Sequence, residues 1–289
     1  MEKRRYREGV DLSIVGFGGM TLVGMEQRDC DEIVAESVEA GVNYFDVAPS
    51  YGDGEAEVKL GHALVPFRSE VFLACKTFAR DAAGAGRELD QSLRRLGTGC
   101  LDLYQFHALI KVSEVERIFG PYGAVEAVTR AREQGKVRFV GFSAHSVEAA
   151  LAMMERMRFD SVLFPVNFVL YSKGDFGPRV LEKARQLGVA RVAVKAMALG
   201  PWSRHEEHEY PNCWYRPLGD PELARRAFRF ALSEDVTAVL PPGDPGLFRM
   251  ALRFAQDCTP MSATERVALL ESAAGFVPLF PCRRRGDSL

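Results

Sequence analysis

Paired cysteines are missing. The six thiols, Cys30, Cys75, Cys100, Cys213, Cys258 and Cys282, stand apart with no C-x-x-C among them, so neither a disulfide framework nor a zinc or iron–sulfur ligand set is indicated. Cys75 and Cys100 read as packing residues. Long apolar runs are missing as well: no stretch approaches the roughly 18 residues that cross a bilayer, and the opening MEKRRYREGVDLS is charged where a secretory leader would be apolar. A cytoplasmic chain with no membrane contact is expected. An excess of one charge is also lacking, since 37 basic side chains meet 39 acidic ones for a net −2 and a pI near 6.3. That balance leaves no field for nucleic acid or anionic lipid. Linkers and low-complexity tracts do not occur, so residues 1–289 are expected to form one domain.

What is present is apolar material in a regular order. A content of 47% hydrophobic and 26% charged residues suffices for a full core and excludes disorder. Strand-like runs alternate with segments of helical period: SIVGFGGM (13–20), NYFDV (43–47), VFLACK (71–76), LDLYQFH (101–107), RFVGFS (138–143), SVLFPVNF (161–168), RVAVKAMALG (191–200) and TAVLPPG (237–243). Near-continuous apolar strands between helices suit a parallel sheet covered on both faces. Eight such units predict an α/β fold of the (β/α)8, or TIM, barrel type. The one long irregular insert, 200–220, contains Pro201, Pro211 and Pro217 and reads as a functional loop.

Polar residues fall at the ends of successive strands. Asp46 ends the second, Tyr51 lies just beyond it, Lys76 ends the third and His107 the fourth. Neighbouring strand ends of a barrel converge on one rim, which brings these four into one pocket. Each alone has a plain reading as a cap, turn former or solvated side chain; four in succession are harder to dismiss. A phenol of pKa about 10 donates poorly at neutral pH unless an ammonium favours its phenolate. Lys76 would supply that charge, Asp46 would hold Lys76 protonated, and His107 would orient a substrate carbonyl toward Tyr51. This set suits protonation of a carbonyl oxygen while hydride reaches its carbon.

The chain resembles the aldo-keto reductases, in a divergent, bacterial-type form. The resemblance rests on GVNYFDVAPSYGDGEAEVKLGHAL, VFLACK, SLRRLGTGCLDLYQFH and GKVRFVGFSAHS, which follow one another in family order across roughly residues 6 to 245. It implies a barrel closed below by an N-terminal β-hairpin, a C-terminal helical extension, a nicotinamide coenzyme across the top, and reduction of an aldehyde, ketone or sugar carbonyl or its reverse. It also implies Tyr51 as general acid/base, Asp46 and Lys76 as its tuning pair, and His107 as the residue that positions substrate.

The coenzyme half matches the family less fully. Ser143 is followed by Ala144 where an amide is common, Pro165 stands where a glutamine is usual, and Val194 stands where an aromatic ring commonly stacks. The resemblance leaves Gly19, Ser143, His145, Asn167, Lys195, Gly243 and Arg249 as coenzyme contacts. His145 would replace the missing amide or start the next helix. Lys195 would meet the diphosphate or stand solvated at the rim. Gly243 and the helix after it would receive phosphate on free N–H groups, and Arg249 would approach a 2′-phosphate. The balance leans only slightly toward NADP(H) over NAD(H). His205, His208 and Cys213 show no ligand spacing, so no metal is expected, and Trp202, Trp214 and Tyr215 are expected as an aromatic wall over substrate. The expectation is a carbonyl oxidoreductase acting on a small molecule. Its alternatives are a coenzyme-sensing or partner-binding barrel with little turnover, or a lyase or epimerase retaining its coenzyme. The C-terminal SATERVALLESAAGFVPLFP would pack on the barrel or on another subunit.

Overall fold

The predicted alternation is realised as a sheet of eight parallel strands wrapped by helices. The computed structural model describes residues 1–281; Cys282 lies outside the described residues. The chain opens with an antiparallel hairpin, β1 (Lys3–Arg7) and β2 (Val10–Ser13). Then come β3 (Phe17–Gly18), α1 (Gln27–Glu39), β4 (Tyr44–Asp46), α2 (Glu55–Ala63), β5 (Phe72–Thr77), α3 (Ala82–Arg95) and β6 (Leu101–Leu109). The helices α4 (Val112–Phe119) and α5 (Ala124–Glu133) lead to β7 (Val137–Ala144), α6 (Val147–Arg156), β8 (Ser161–Pro165), α7 (Phe168–Lys173), α8 (Pro178–Gln186) and β9 (Ala190–Val194). A second hairpin, β10 (Ala198–Gly200) with β11 (Arg216–Pro217), precedes α9 (Pro221–Leu232), β12 (Ala238–Leu240), α10 (Pro245–Gln256) and α11 (Ala263–Ser272).

The sheet order β12-β9-β8-β7-β6-β5-β4-β3 follows the chain, with the β10–β11 hairpin lying outside it. Closure comes from the residues before β3: Val239 N donates to Ile14 O at 2.8 Å and Gly16 N to Val239 O at 2.9 Å. The result is a barrel, as the eight-unit pattern predicts.

Side-chain alternation then decides what faces inward. Tyr44, Phe72, Ala74, Leu103, Leu163, Val192, Ala238 and Leu240 form an inner core distinct from the larger one between strands and helices. Two residues beyond Tyr44, Ala74 and Leu103 stand Asp46, Lys76 and Gln105, so the inner layer turns polar at one end. Pairing register agrees, with Asp46 opposite Ala74 and Lys76 opposite Gln105. The other end is plugged by the hairpin: Tyr6 packs edge-on to Phe72 and Phe139, at 5.0 and 5.5 Å, and its hydroxyl meets Ser161 Oγ at 3.1 Å.

Five expected strands are shorter than their apolar runs, and in three of them the local cause is visible. The first keeps only Phe17–Gly18, because Gly19 enters a 3₁₀ turn. The run 161–168 stops at Pro165, since Asn167 caps α7. The run 191–200 divides between β9 and the outer strand β10, with a turn between them. In the C-terminal extension, α11 lies against α7 and α9. Beyond α11, Phe280 stacks on Phe176 at 5.2 Å. This tail therefore packs on its own barrel.

Candidate active site

At the polar end of the barrel, Asp46 and Lys76 form an ion pair that is 2% and 1% exposed. Lys76 Nζ bonds Asp46 Oδ1 and also donates to Val47 O at 3.1 Å and to the Tyr51 hydroxyl at 3.3 Å. The other carboxylate oxygen, Asp46 Oδ2, accepts from Gln105 Nε2 at 2.9 Å and from the Tyr44 hydroxyl at 3.2 Å. A buried pair is tolerated when its remaining donors and acceptors are also satisfied, as they are here. Burial pulls the Lys76 pKa down, but Asp46 and Tyr51 outweigh it and hold the ammonium above its ordinary value.

Tyr51 reaches this pair through a tight reversal after β4. Gly52, Asp53 and Gly54 all have positive φ, at 59, 51 and 94°. The φ of Gly54 disfavours any residue with a Cβ, and a Cβ there would lie 2.3 Å from the Arg95 guanidinium and displace it. Arg95 pairs with the fully buried Glu57 of α2 at 2.9 Å, which anchors the far side of the turn. The turn leaves Lys76 Nζ 5.0 Å from the centre of the Tyr51 ring. The expected net lowering of the phenol pKa is not found: burial raises it, and Lys76 is the largest opposing influence. Tyr51 thus carries its proton at neutral pH.

His107 stands near the end of β6 with its ring 4.2 Å from Phe78 and 5.9 Å from Tyr51. Its Nδ1 is buried without a hydrogen-bond partner. Burial, then the charges of Lys76 and neighbouring groups, push its pKa well below the ordinary range, so the imidazole is neutral. The strand end is held by Arg80, which donates to His107 O at 2.7 Å and pairs with Glu114. The four polar residues read from the sequence do converge.

They open on a cavity of about 600 Å³. Ser143, His145, Lys195 and Gly243 line it; Gly19, Asn167 and Arg249 do not. Ser143 Oγ accepts from Ala108 N at 2.7 Å. Every polar atom of Asn167 is committed to backbone: its oxygen accepts from Val169 N and Leu170 N, and its nitrogen donates to Lys195 O and Ala198 O. Asn167 is a corner bracket between β8 and β9. Arg249 grips Glu36 with contacts of 3.1 and 2.8 Å. Gly19 packs on Val47, where a Cβ would come within 2.8 Å. The start of α10 is also partly occupied, since Asp244 accepts from Leu247 N at 2.9 Å and places its own carboxylate there.

The insert divides in two. Trp214 and Tyr215 enter the cavity wall, whereas Trp202 turns away to stack on His208 at 4.5 Å and donates to Cys213 O at 2.8 Å. Among the described residues no three His, Cys, Asp or Glu side chains gather as a metal set. Sequence reasoning missed Phe78, Ile110, Asn212 and Phe280 in the wall. The only advance signal for Phe280 was the apolar FVPLFP tail. Asn212 reaches across to donate to Val23 O at 2.9 Å, which no local pattern announces.

Comparison with known proteins agrees with this geometry. Residues 14–218 match the model of the aldo/keto reductase family. The chain is 31% identical over 167 residues to Protein REDOX 2 of Catharanthus roseus, covering 51% of each. It is 26% identical over 207 residues to L-galactose dehydrogenase of Arabidopsis thaliana, covering 66% of this chain and 64% of that protein. The chain thus spans about half the length of the first relative and under two thirds of the second. Among solved structures it resembles the holo form of an aldo-keto reductase from Bacillus halodurans, with a TM-score of 0.74 and 21% identity over 99% of both chains. It also resembles an aldo/keto reductase from Klebsiella pneumoniae in complex with NADP and acetate, with a TM-score of 0.69 and 20% identity over 98% of this chain and 97% of that one.

Proposed function

Given that the chain belongs to the aldo/keto reductase family, we propose that it catalyses hydride transfer between a nicotinamide coenzyme and the carbonyl carbon of an aldehyde, ketone or sugar, in either direction. The observation that carries this reading is the satisfied Asp46–Lys76 pair touching the Tyr51 hydroxyl, with the neutral His107 lining the same cavity. Tyr51 holds a proton and gives it to the carbonyl oxygen. Lys76 meets the phenolic oxygen left behind and stabilises its charge. Asp46 keeps that ammonium charged and in place. His107, neutral and lining the same cavity, orients the carbonyl.

The residues present fit a nicotinamide coenzyme: Ser143 offers a hydroxyl, Val194 and Leu240 an apolar wall, and Gly243 a backbone without a side chain, all on the same cavity. When bound, the coenzyme supplies or accepts the hydride. NADP(H) is proposed over NAD(H) by a small margin, on the strength of Arg249, whose exchange partner Glu36 is 43% exposed.

A second reading, a coenzyme-sensing barrel with little turnover, is favoured by the Asp244 carboxylate at the start of α10 and by the prior engagement of Arg249. Fluorescence titration with NADPH and with NADH, followed by assay of the saturated protein against a panel of aldehydes, separates the two. Saturable binding with turnover supports the reductase, binding without turnover moves the assignment to the sensor, and no binding of either coenzyme overturns both.

A further inference from the structure

Three charged residues line the cavity, and two of them, Asp46 and Lys76, neutralise each other. The third is Lys195. Its Nζ lies 5.2 Å from the centre of the Trp214 ring and 4.8 Å from that of Tyr215. Among the described residues it has no ion-pair partner and no hydrogen bond through its side chain. Its backbone is left-handed, with φ at 62°, a conformation that is uncommon for a residue with a Cβ. That corner is held by the Asn167 amide and by Ala198 N, both of which donate to Lys195 O at 3.0 Å.

Among the described residues the surroundings do not supply an unpaired anion. His145 stacks on Phe280 at 4.9 Å and is neutral, because burial and then Lys195 lower its pKa to about 3. His107 is neutral as well. Burial lowers the Lys195 pKa to about 8, with Cys213 opposing and Lys76 adding to the shift. Among the described residues the cavity is therefore apolar-walled with one uncompensated cation, held in a strained conformation between two rings.

We propose that Lys195 receives a carboxylate carried by the substrate, so that the protein acts on carbonyl acids: aldehydes or ketones with an apolar body and an anionic end. The carbonyl part of this assignment rests on the reductase reading above. Trp214 and Tyr215 flank the ammonium with ring faces, and an apolar surround of this kind strengthens a charge-assisted bond to one carboxylate. A diphosphate spreads its charge over several donors; the described residues offer the cavity a single unpaired cation flanked by ring faces.

The test compares 4-carboxybenzaldehyde with methyl 4-formylbenzoate in the presence of NADPH, for the wild type, Lys195→Met and Lys195→Arg. The readout is the ratio of kcat/KM for acid over ester. It is expected to be at least about tenfold in the wild type, to fall to about one in Lys195→Met, and to be partly restored in Lys195→Arg. A ratio near one in the wild type overturns the proposal, whatever the variants do. A second arm does not depend on turnover: benzoate is titrated against tryptophan fluorescence, with and without saturating NADPH. Benzoate binding that weakens about tenfold or more in Lys195→Met and persists beside NADPH supports the proposal, even if no aldehyde is turned over and the reductase reading fails. Absent binding, binding indifferent to Lys195, or displacement of benzoate by NADPH overturns it; displacement would assign Lys195 to the coenzyme.

Discussion

Lys76 and Lys195 face one cavity, and among the described residues only the first has a counter-ion. On the β4–β6 side the ammonium has Asp46, a main-chain carbonyl and Tyr51, and Asp46 in turn has Gln105 and Tyr44. On the β9 side the ammonium has two ring faces and a left-handed backbone. The first arrangement is complete when the chain folds. On the proposal above the second is completed by a ligand, and a site left incomplete in this way lowers stability for the sake of binding. In the proposed function the contrast separates a proton-transfer corner, where charges must not move, from a recognition corner, where a charge waits for its partner.

Four substitutions sharpen this contrast, from the largest expected effect to the smallest. Asp46→Asn strands a buried ammonium and is expected to cost about 3–5 kcal/mol of unfolding free energy, measured by urea titration; a loss under about 1 kcal/mol would mean that the pair is far better solvated than its burial indicates. Asn167→Ala removes the cap of α7 and the bracket on Lys195 O, and is expected to cost about 2 kcal/mol. The same variant should blunt any preference for acid over ester, since Lys195 loses its anchor.

Lys195→Met should act in the opposite sense and raise stability at pH 7 by about 1 kcal/mol, because ring contacts worth about 0.5–2 kcal/mol offset only part of the desolvation of the cation. Lys195 has a folded pKa of about 8 against 10.5 for the ordinary group. Between those values the unfolded chain holds a proton that the folded chain has released, so rising pH favours the folded state. The stability gap between Lys195→Met and the wild type should therefore narrow as pH climbs from about 8 toward 10.5, measured by thermal melts. A gap independent of pH would remove the charge from the explanation. Arg249→Ala breaks a half-exposed pair with Glu36 and should change stability by under about 1 kcal/mol. Its more informative readout is the ratio of NADPH to NADH dissociation constants: a few-fold shift toward NADH is expected, and an unchanged ratio would take Arg249 out of the coenzyme site.

The barrel and the convergence of Asp46, Lys76 and His107 were legible for the same reason. Parallel strands buried on both faces announce themselves as apolar runs, and a polar residue ending such a run has the rim as its place. Asp46, Lys76 and His107 needed only that rule. The rest of the site depends on partners far away in the chain. Arg249 meets Glu36 across 213 residues, and Trp202 and Trp214, twelve apart in one insert, point to different cavities. Asn167 sits where an inward-facing strand residue is expected, yet Pro165 ends the strand and the amide turns to cap a helix. The pKa of Tyr51 was misjudged in the same way. Proximity of Lys76 can be inferred from the pattern, but the degree of burial that outweighs it cannot.

The central claim is that Tyr51 donates the proton, and steady-state oxidation of NADPH by an aldehyde substrate of the wild type, compared with Tyr51→Phe, tests it most directly. The ring is kept and only the hydroxyl is lost, so the NADPH dissociation constant should hold within about twofold while kcat falls by about 10²–10⁴-fold. A Tyr51→Phe protein that turns over at the wild-type rate would contradict the account.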